Sequence, residues 1–597
     1  MKRGYIDKWT NISGCQNLLF FAKLINELIF DYSIPSNRLA TLNSHYLCLD
    51  ALSAISDVEQ HGVPEVTVKP IMEELYNSLC KDHAFDLSET KPLDLFIKQE
   101  VSGFKRIYNT KDLNFEDSKK IVSAVYHKYF NENAYYELIK ERIIEIVETN
   151  NTNEQDVLLQ LTKSFVTELV NSGYSCQYIY DQMIYSFFNK KVCVDKPQDI
   201  HKFIDSFDFK QKEYSVLFIA NKSYSNIVEK YDMYSIQNQM RTKTQLELEK
   251  TYLQKEDDET YFVVNPINAL DQYNAIENVI AILDIQISFY RLNNHNDLFD
   301  TSKLKWCVYD KANYFSIYKR PKNSVKKAKT VSTELINKNI EKVNTATSLA
   351  IESDISYGQA LINAVTFHSL SIDASSKENQ LLDLWAIFET LLDISQKHTG
   401  DRIQQVIKYL IPVLKQKYLF SLFEQLSNDI KNYSEKIYDY IVDKNVDMPI
   451  LAITEFCLLD DNEAKRNYVF SQINDFPLLK ERICYYNKVL KTNNDIFKFV
   501  LKHTQRLEWQ IMRIYRNRNL VIHNGRSMPY LSLLIENLHS YVDEFLNFII
   551  DGFVNSKNKD LIFQELFVKE CEWIGTMSKN RTKESLDIKL LTYILSL

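Results

Sequence analysis

The chain has 597 residues, of which only 10 are glycine and 11 are proline. A chain of this length exceeds what one hydrophobic core usually holds, so we expect about two to four domains. Because glycine and proline form turns and interrupt helices, their scarcity predicts a mainly α protein with long helices. The formal net charge of −8 excludes a global attraction to nucleic acid, so any RNA contact requires a local basic patch.

Cysteines and apolar segments indicate the compartment. The nine cysteines are widely spaced and form no Cys-x-x-Cys pair, which predicts reduced, mostly buried thiols and not a disulfide framework. The first residues lack a secretory apolar segment, and no apolar run reaches the length of a transmembrane helix. We therefore expect a cytoplasmic protein that does not contact a membrane.

The N-terminal part, residues 1–205, has helical periodicity throughout. Apolar residues recur at three- and four-residue steps in segments 17–30, 121–130 and 135–149. This pattern predicts an all-helical N-terminal domain. We find no internal repeat and no catalytic motif in it.

The pattern changes in the middle of the chain, and residues 206–329 predict a small α+β unit. A helix is predicted over 269–292, because apolar residues fall at four-residue steps on one face. Asn265 and Pro266 are expected to end the second strand. Short apolar runs with β-branched and aromatic residues predict four strands, over residues 214–220, 260–264, 304–309 and 314–318.

Two charged segments accompany this unit. Residues 239–259 predict a loop or an exposed helix. Residues 319–329 carry six positive charges and no negative charge, which is typical either of a solvated linker or of an RNA-backbone contact. Helical periodicity returns after Thr330, so residues 330–597 are predicted to form a helical C-terminal domain.

A short polar segment, Arg516-Asn-Arg-Asn-Leu-Val-Ile-His523, stands out in this C-terminal domain. It lies in a stretch without glycine or proline that is followed by Asn524-Gly525, a common helix end. His523 is therefore predicted in the last helical turn, where the negative end of the helix dipole favours a protonated imidazole.

These residue types suit metal-independent RNA cleavage, in which the 2′-hydroxyl attacks the neighbouring phosphate. Histidine can take or supply a proton near neutral pH, and arginine stabilises charge on the phosphate. On a helical wheel Asn519 and Arg516 share the face of His523, and Arg518 lies about 140° away, still within reach. Asn519 is predicted to hydrogen-bond His523 and fix its tautomer. We find no metal-binding motif, and we expect no cofactor.

Positive charge is concentrated around this segment. Six Lys or Arg residues lie between 502 and 526 against a single acid, Glu508. This is the local patch that a net-negative protein needs in order to hold a phosphate backbone. The six are Lys502, Arg506, Arg513, Arg516, Arg518 and Arg526, and of these we expect Arg513, Arg516 and Arg526 to bind RNA.

Residues 515–525, Tyr-Arg-Asn-Arg-Asn-Leu-Val-Ile-His-Asn-Gly, resemble the signature of HEPN domains, helical modules with an Arg and a His four to six residues apart. The likeness is strongest to the Apea-like branch, whose Tyr-x-x-Arg-Asn/Ser-x-x-x-His-Gly pattern follows a helix with an aromatic residue and a Glu. Residues 381–392 resemble that earlier helix, and the likeness spans roughly residues 335–555. It implies a HEPN-like helical bundle whose catalytic residues are Arg518, Asn519, His523 and Glu389, with Glu389 supporting the arginine.

Two features depart from this pattern. Asn524 stands between His523 and the glycine, and Arg516 also satisfies the motif. The helical wheel favours Arg516, whereas the family pattern favours Arg518. We take Arg518 as the primary phosphate contact and Arg516 as a second one. The resemblance also implies a homodimer in which two motifs face each other.

Purely structural roles would also account for these residues. His523 would only stabilise a helix C-terminus, Glu389 would be a surface acid, and Trp385 and Phe388 are expected in the core. The other ten histidines, which we expect to be isolated and structural, are His45, His61, His83, His127, His201, His295, His368, His398, His503 and His539.

The sequence thus predicts a metal-independent endoribonuclease whose N-terminal region senses a trigger or binds a regulator. A role as a toxin-like or antiphage defence effector is implied by the resemblance alone. One alternative is a non-catalytic HEPN-type protein that binds RNA or a partner. Another is a helical scaffold without any role in nucleic-acid binding.

Overall fold

The computed structural model shows a mainly helical protein with a small antiparallel sheet, which confirms the predicted fold class at this level. Apart from a few single residues, the structure describes residues 8–29, 42–61, 68–85, 115–131, 133–189, 191–224, 256–292, 304–310, 314–317, 356–374, 376–392, 399–442, 448–556, 559–580 and 588–596.

By contact density the chain divides into two units. The large unit comprises residues 1–167, 187–200 and 325–597, and the sheet unit comprises residues 168–186 and 201–324. The helices described before the sheet and those described after it therefore belong mostly to the large unit. The division into domains 1–205, 206–329 and 330–597 stays a prediction.

The N-terminal helices confirm the prediction that was made from helical periodicity in this part of the chain. Segments 17–30, 121–130 and 135–149 correspond to the first, fourth and fifth of these helices. The helices are α1 (Gln16–Ile29), α2 (Ser44–His61), α3 (Val68–Leu79), α4 (Phe115–Tyr129), α5 (Ala134–Thr149) and α6 (Gln155–Asn171).

The sheet unit is built on a four-stranded antiparallel sheet in which the first strand in the chain lies between the second and the third, and the fourth pairs with the third. One face of the helix Gln272–Arg291 carries Ala275, Val279, Leu283 and Ile287, all buried in the core with the strands, as their spacing predicts. Asp271 caps this helix by accepting from the backbone N–H groups of its first turn. The elements are α7 (Cys176–Met183), α8 (His201–Ile204), β1 (Lys212–Asn221), β2 (Glu259–Ala269), α9 (Gln272–Arg291), β3 (Lys305–Tyr309) and β4 (Tyr314–Ile317).

The second strand differs from its prediction, because β2 continues through Asn265 and Pro266 to Ala269. The register with β1 shifts there, since Tyr214 pairs with Ile267 and Val216 pairs with Val264. A bulge on an edge strand tolerates proline because no N–H group is required from it. The expectation that Pro266 ends the strand was therefore wrong.

Helices make up the described part of the chain from residue 356 onward, as predicted. Their order is α10 (Ser356–Asp373), α11 (Lys377–Leu392), α12 (Thr399–Gln416), α13 (Tyr418–Tyr433), α14 (Glu435–Ile441), α15 (Pro449–Leu458), α16 (Glu463–Gln472), α17 (Pro477–Val489), α18 (Asn493–Asn524), α19 (Leu531–Ser556), α20 (Lys559–Asn580) and α21 (Ile588–Ser596).

Three further expectations concern segments and side chains. The charged segment 239–259 lies almost entirely outside the described residues, and segment 319–329 lies wholly outside them. All nine cysteines are free, but only four are buried, so the expectation of mostly buried thiols was wrong. In the part of the chain that the structure describes, no helix combines the length and hydropathy that crossing a bilayer requires.

Candidate functional site

Helix α18 carries the predicted motif and has a defined start and end. At its start, the Thr492 hydroxyl accepts from the Asp495 backbone N–H and the Asp495 carboxylate accepts from the Thr492 N–H, which forms a capping box. At its end, Gly525 has a φ of 60°, a left-handed conformation that favours glycine. Its N–H donates to the Val521 carbonyl at 3.1 Å. The predicted position of His523 in the last turn is confirmed.

Arg518 connects α18 to α11. Its Nη2 donates to Oε1 of Glu389 at 2.8 Å, and its Nη1 donates to Oδ1 of Asn519 at 3.2 Å. The side chains of Arg518 and Glu389 keep 17% and 30% of their exposure. Because a guanidinium has five N–H donors, this partly exposed arginine can still donate to a phosphate from solvent.

Aromatic packing places Glu389 opposite this arginine. Trp385 of α11 packs on Tyr515 of α18 with ring centroids 5.5 Å apart, and Phe388 packs on Phe545 of α19 at 5.4 Å. All four rings are buried, which confirms the prediction that Trp385 and Phe388 belong to the core. These contacts hold α11 against α18 and α19 and thereby fix the backbone from which Glu389 extends.

His523 is exposed at the end of α18, whereas Asn519, one turn earlier, is buried. Among the described residues no hydrogen bond joins the two, and the side-chain oxygen of Asn519 accepts from Arg518 instead. Asn519 therefore positions the arginine, and the predicted contact that would fix the tautomer of His523 is not formed. Of the four residues predicted to be catalytic, the structure joins Arg518, Asn519 and Glu389, and it leaves His523 facing solvent.

The two arginines that precede this group lie in the protein interior. Arg513 binds Asp50 through Nε at 3.2 Å and also binds Glu74. Arg516 binds the same Asp50, and its Nη1 lies 3.2 Å from Oδ2 of Asp57. Both arginine side chains are 1% exposed or less. Neither offers a donor to RNA in this structure, so the contacts predicted for them have no surface on which to form.

The electrostatics of this cluster favour a charged Arg516. Burial opposes the charge on Arg516, but Asp50, Tyr530 and Asp57 outweigh it and hold the pKa of the guanidinium above its usual value. Burial and then Asp50 raise the pKa of Tyr530, so its hydroxyl stays protonated and donates to Asp50. The cluster, which we call the Asp50 cluster, consists of Asp50, Asp57, Glu74, Arg513, Arg516 and Tyr530.

Because Arg513 and Arg516 are buried, only part of the predicted basic patch is exposed. Lys502, Arg506 and Arg526 are exposed. Arg526 follows the motif directly, and of the three predicted RNA contacts it is the exposed one. Arg506 lies about 25 Å along the helix from His523, from the rise per residue, so the two cannot contact the same phosphate.

Two histidines that were expected to be isolated lie together. The ring centroids of His368 and His539 are 5.0 Å apart, and both imidazoles contact Asp543. The expectation was wrong for this pair because helices distant in sequence bring the side chains into contact. The one signal in the sequence is the four-residue step from His539 to Asp543, which places both on one face of a helix.

We predict that Asp50→Asn lowers the free energy of unfolding of the large unit by about 3–5 kcal/mol, because two buried guanidinium groups lose a shared counter-charge. Urea unfolding followed by far-UV circular dichroism measures the change. Asp156→Asn is the matched control, since Asp156 forms an exposed pair with Lys488 at 3.6 Å. That change should cost less than about 1 kcal/mol, and equal losses in both variants would contradict the prediction.

Comparison with known proteins assigns no relative to this chain: no protein-family model, no curated protein and no solved structure matches it.

Proposed function

We propose that the protein is a metal-independent endoribonuclease of the HEPN type, with its site at the C-terminal end of α18. The observation that carries the proposal is the half-buried Arg518, held by Glu389 and Asn519, in the same last turns of the helix as the exposed His523. A positioned guanidinium and an accessible imidazole are the groups that 2′-hydroxyl attack on a phosphate requires.

In this reaction the 2′-oxygen forms a bond to phosphorus as the bond to the 5′-oxygen breaks. A neutral His523 takes the proton of the 2′-hydroxyl, and a protonated His523 of a second copy gives a proton to the leaving 5′-oxygen. Arg518 donates to the non-bridging phosphate oxygens, where negative charge develops. The products are a 2′,3′-cyclic phosphate and a 5′-hydroxyl end.

The N-terminal helices provide a structural basis for regulation in this proposal. Asp50 and Asp57 of α2 and Glu74 of α3 bind the arginines of α18 on the turns that precede Arg518. A trigger that moves α2 or α3 would act on α18 through these ion pairs. This contact is consistent with a latent effector of the toxin-like or antiphage kind, the role that the resemblance implies.

We predict that His523→Ala lowers RNA cleavage by about 10²–10⁴-fold, because it removes the proton-transfer group. Purified protein is incubated with RNA in excess EDTA, and the ends are assayed for 2′,3′-cyclic phosphate. His127→Ala, which changes an exposed histidine on α4, should leave cleavage unchanged.

Three outcomes distinguish the candidate functions. Cleavage in EDTA that depends on His523 supports the ribonuclease. RNA binding by the wild type without cleavage, together with no His523-dependent toxicity on expression, favours the non-catalytic RNA-binding alternative. If the wild type neither binds nor cleaves RNA, the helical scaffold without a role in nucleic-acid binding is the remaining candidate.

A second prediction concerns Glu389 as a positioning residue. Glu389→Gln removes the charge that holds Arg518 and should lower kcat about 10-fold while KM and the melting temperature change little, because the guanidinium is less well placed in the transition state. The matched control is Glu378→Gln on the same helix, whose carboxylate accepts from the Ser527 hydroxyl at 2.8 Å. Equal effects of both variants, or a change in KM alone, would argue against the proposed role.

The proposal includes a homodimer, because one chain supplies one motif and two proton transfers are needed. We predict that light scattering after gel filtration gives twice the mass of the chain. Mixing wild-type chains with an excess of inactive His523→Ala chains should lower the activity per wild-type chain, since a mixed cleft then contains one histidine for two proton transfers. A monomer that cleaves RNA at full rate would overturn the shared site.

A further inference from the structure

The cluster of His368, His539 and Asp543 lies between α10 and α19 and plays no part in the proposed cleavage. His368 Nε2 lies 2.9 Å from Oδ1 of Asp543, and His539 Nδ1 lies 3.3 Å from Oδ2 of the same carboxylate. One ligand atom from each of the three residues lies within 4.8 Å of the others. Both imidazoles are therefore directed at a single carboxylate.

These separations are close to those of a metal coordination sphere. Ligand atoms about 2.0–2.2 Å from a tetrahedral zinc ion lie about 3.3 Å from one another. The contacts to Asp543, at 2.9 and 3.3 Å, are close to this spacing, and the third separation, between the ligand atoms of the two imidazoles, is within 4.8 Å. His539 and Asp543 are one turn apart on α19, which places both side chains on one face of the helix.

His539 uses one of its two ring nitrogens in the contact with Asp543. Its side chain is 10% exposed, and its Nε2 is buried without a hydrogen-bond partner among the described residues. Buried polar atoms normally find partners, and an unpaired one carries a cost. Because an ion bound at Nδ1 would leave Nε2 unpaired too, the evidence for a metal site is the spacing of the three ligand atoms.

The chemistry of the donors narrows the class of ion. Two imidazoles and one carboxylate suit zinc and its first-row transition neighbours, whereas magnesium and calcium prefer oxygen ligands alone. Three protein ligands leave a fourth position to water or an exogenous ligand. The side chains of His368 and Asp543 keep 23% and 44% of their exposure, which gives an ion a path from solvent.

We propose that His368, His539 and Asp543 form a binding site for a divalent transition-metal ion that joins α10 to α19. Zn²⁺ is the probe for the site. The ion links two helices of the large unit at a place separate from Arg518 and His523, so the site and RNA cleavage are tested independently.

The test uses the full-length protein, stripped with EDTA and desalted. Zn²⁺ is titrated against a chromophoric chelator, and the expected result is one tightly held ion per chain, with no competition from Mg²⁺ or Ca²⁺. His368→Ala and Asp543→Asn should each weaken binding by at least about 100-fold, because each removes a ligand. His127→Ala should bind as the wild type does.

Two further measurements need no RNA and keep the proposal falsifiable if a variant folds poorly. Co²⁺ in the wild type should give the visible absorption bands of tetrahedral coordination, and Zn²⁺ should raise the melting temperature of the wild type but not of Asp543→Asn. Wild-type protein that binds no Zn²⁺, or that binds as tightly after His368→Ala as before, overturns the proposal. The three residues would then form a hydrogen-bonded cluster only.

Discussion

Asp50 lies fully buried between Arg513 and Arg516, and at this carboxylate α2 meets α18. Removing a carboxylate and two guanidinium groups from water costs far more than a surface ion pair returns, so the arrangement is stable only while every partner is present. Asp57, Glu74 and the Tyr530 hydroxyl complete the set. The position of α18 in the large unit therefore depends on a polar contact as well as on apolar packing.

Because of this contact, the arginines of α18 have two different roles. Arg513 and Arg516 face inward and hold the helix against α2 and α3, whereas Arg518 faces α11 and keeps donors near solvent. Neighbouring positions on a helix point about 100° apart, so a single helix can serve structure on one side and chemistry on another. The positive charge of the segment is thus largely structural, and the part left for a phosphate is small and local.

Local signals in the sequence were sufficient to predict helices and strands, but not the contacts between side chains that are distant in the chain. The end of α18 at Gly525 and the buried face of α9 followed from residue type and spacing alone. The burial of Arg513 could not be predicted in this way, because its partner Asp50 is 463 positions away in the chain. The same reason explains why His368 was taken as isolated, since Asp543 lies 175 positions further on. The contact between Glu389 and Arg518 was expected only through a family resemblance.

The left-handed turn at Gly525 has a consequence for motion. Backbone hydrogen bonds near a helix end open locally at a much lower free energy than those in a buried middle. Residues 513–516 lie in such a middle, pinned by the Asp50 cluster, while His523 sits in the final, exposed turn. Helix α18 therefore combines a segment held by buried ion pairs with a final turn, carrying His523, that can fray, and hydrogen exchange along α18 would record this gradient.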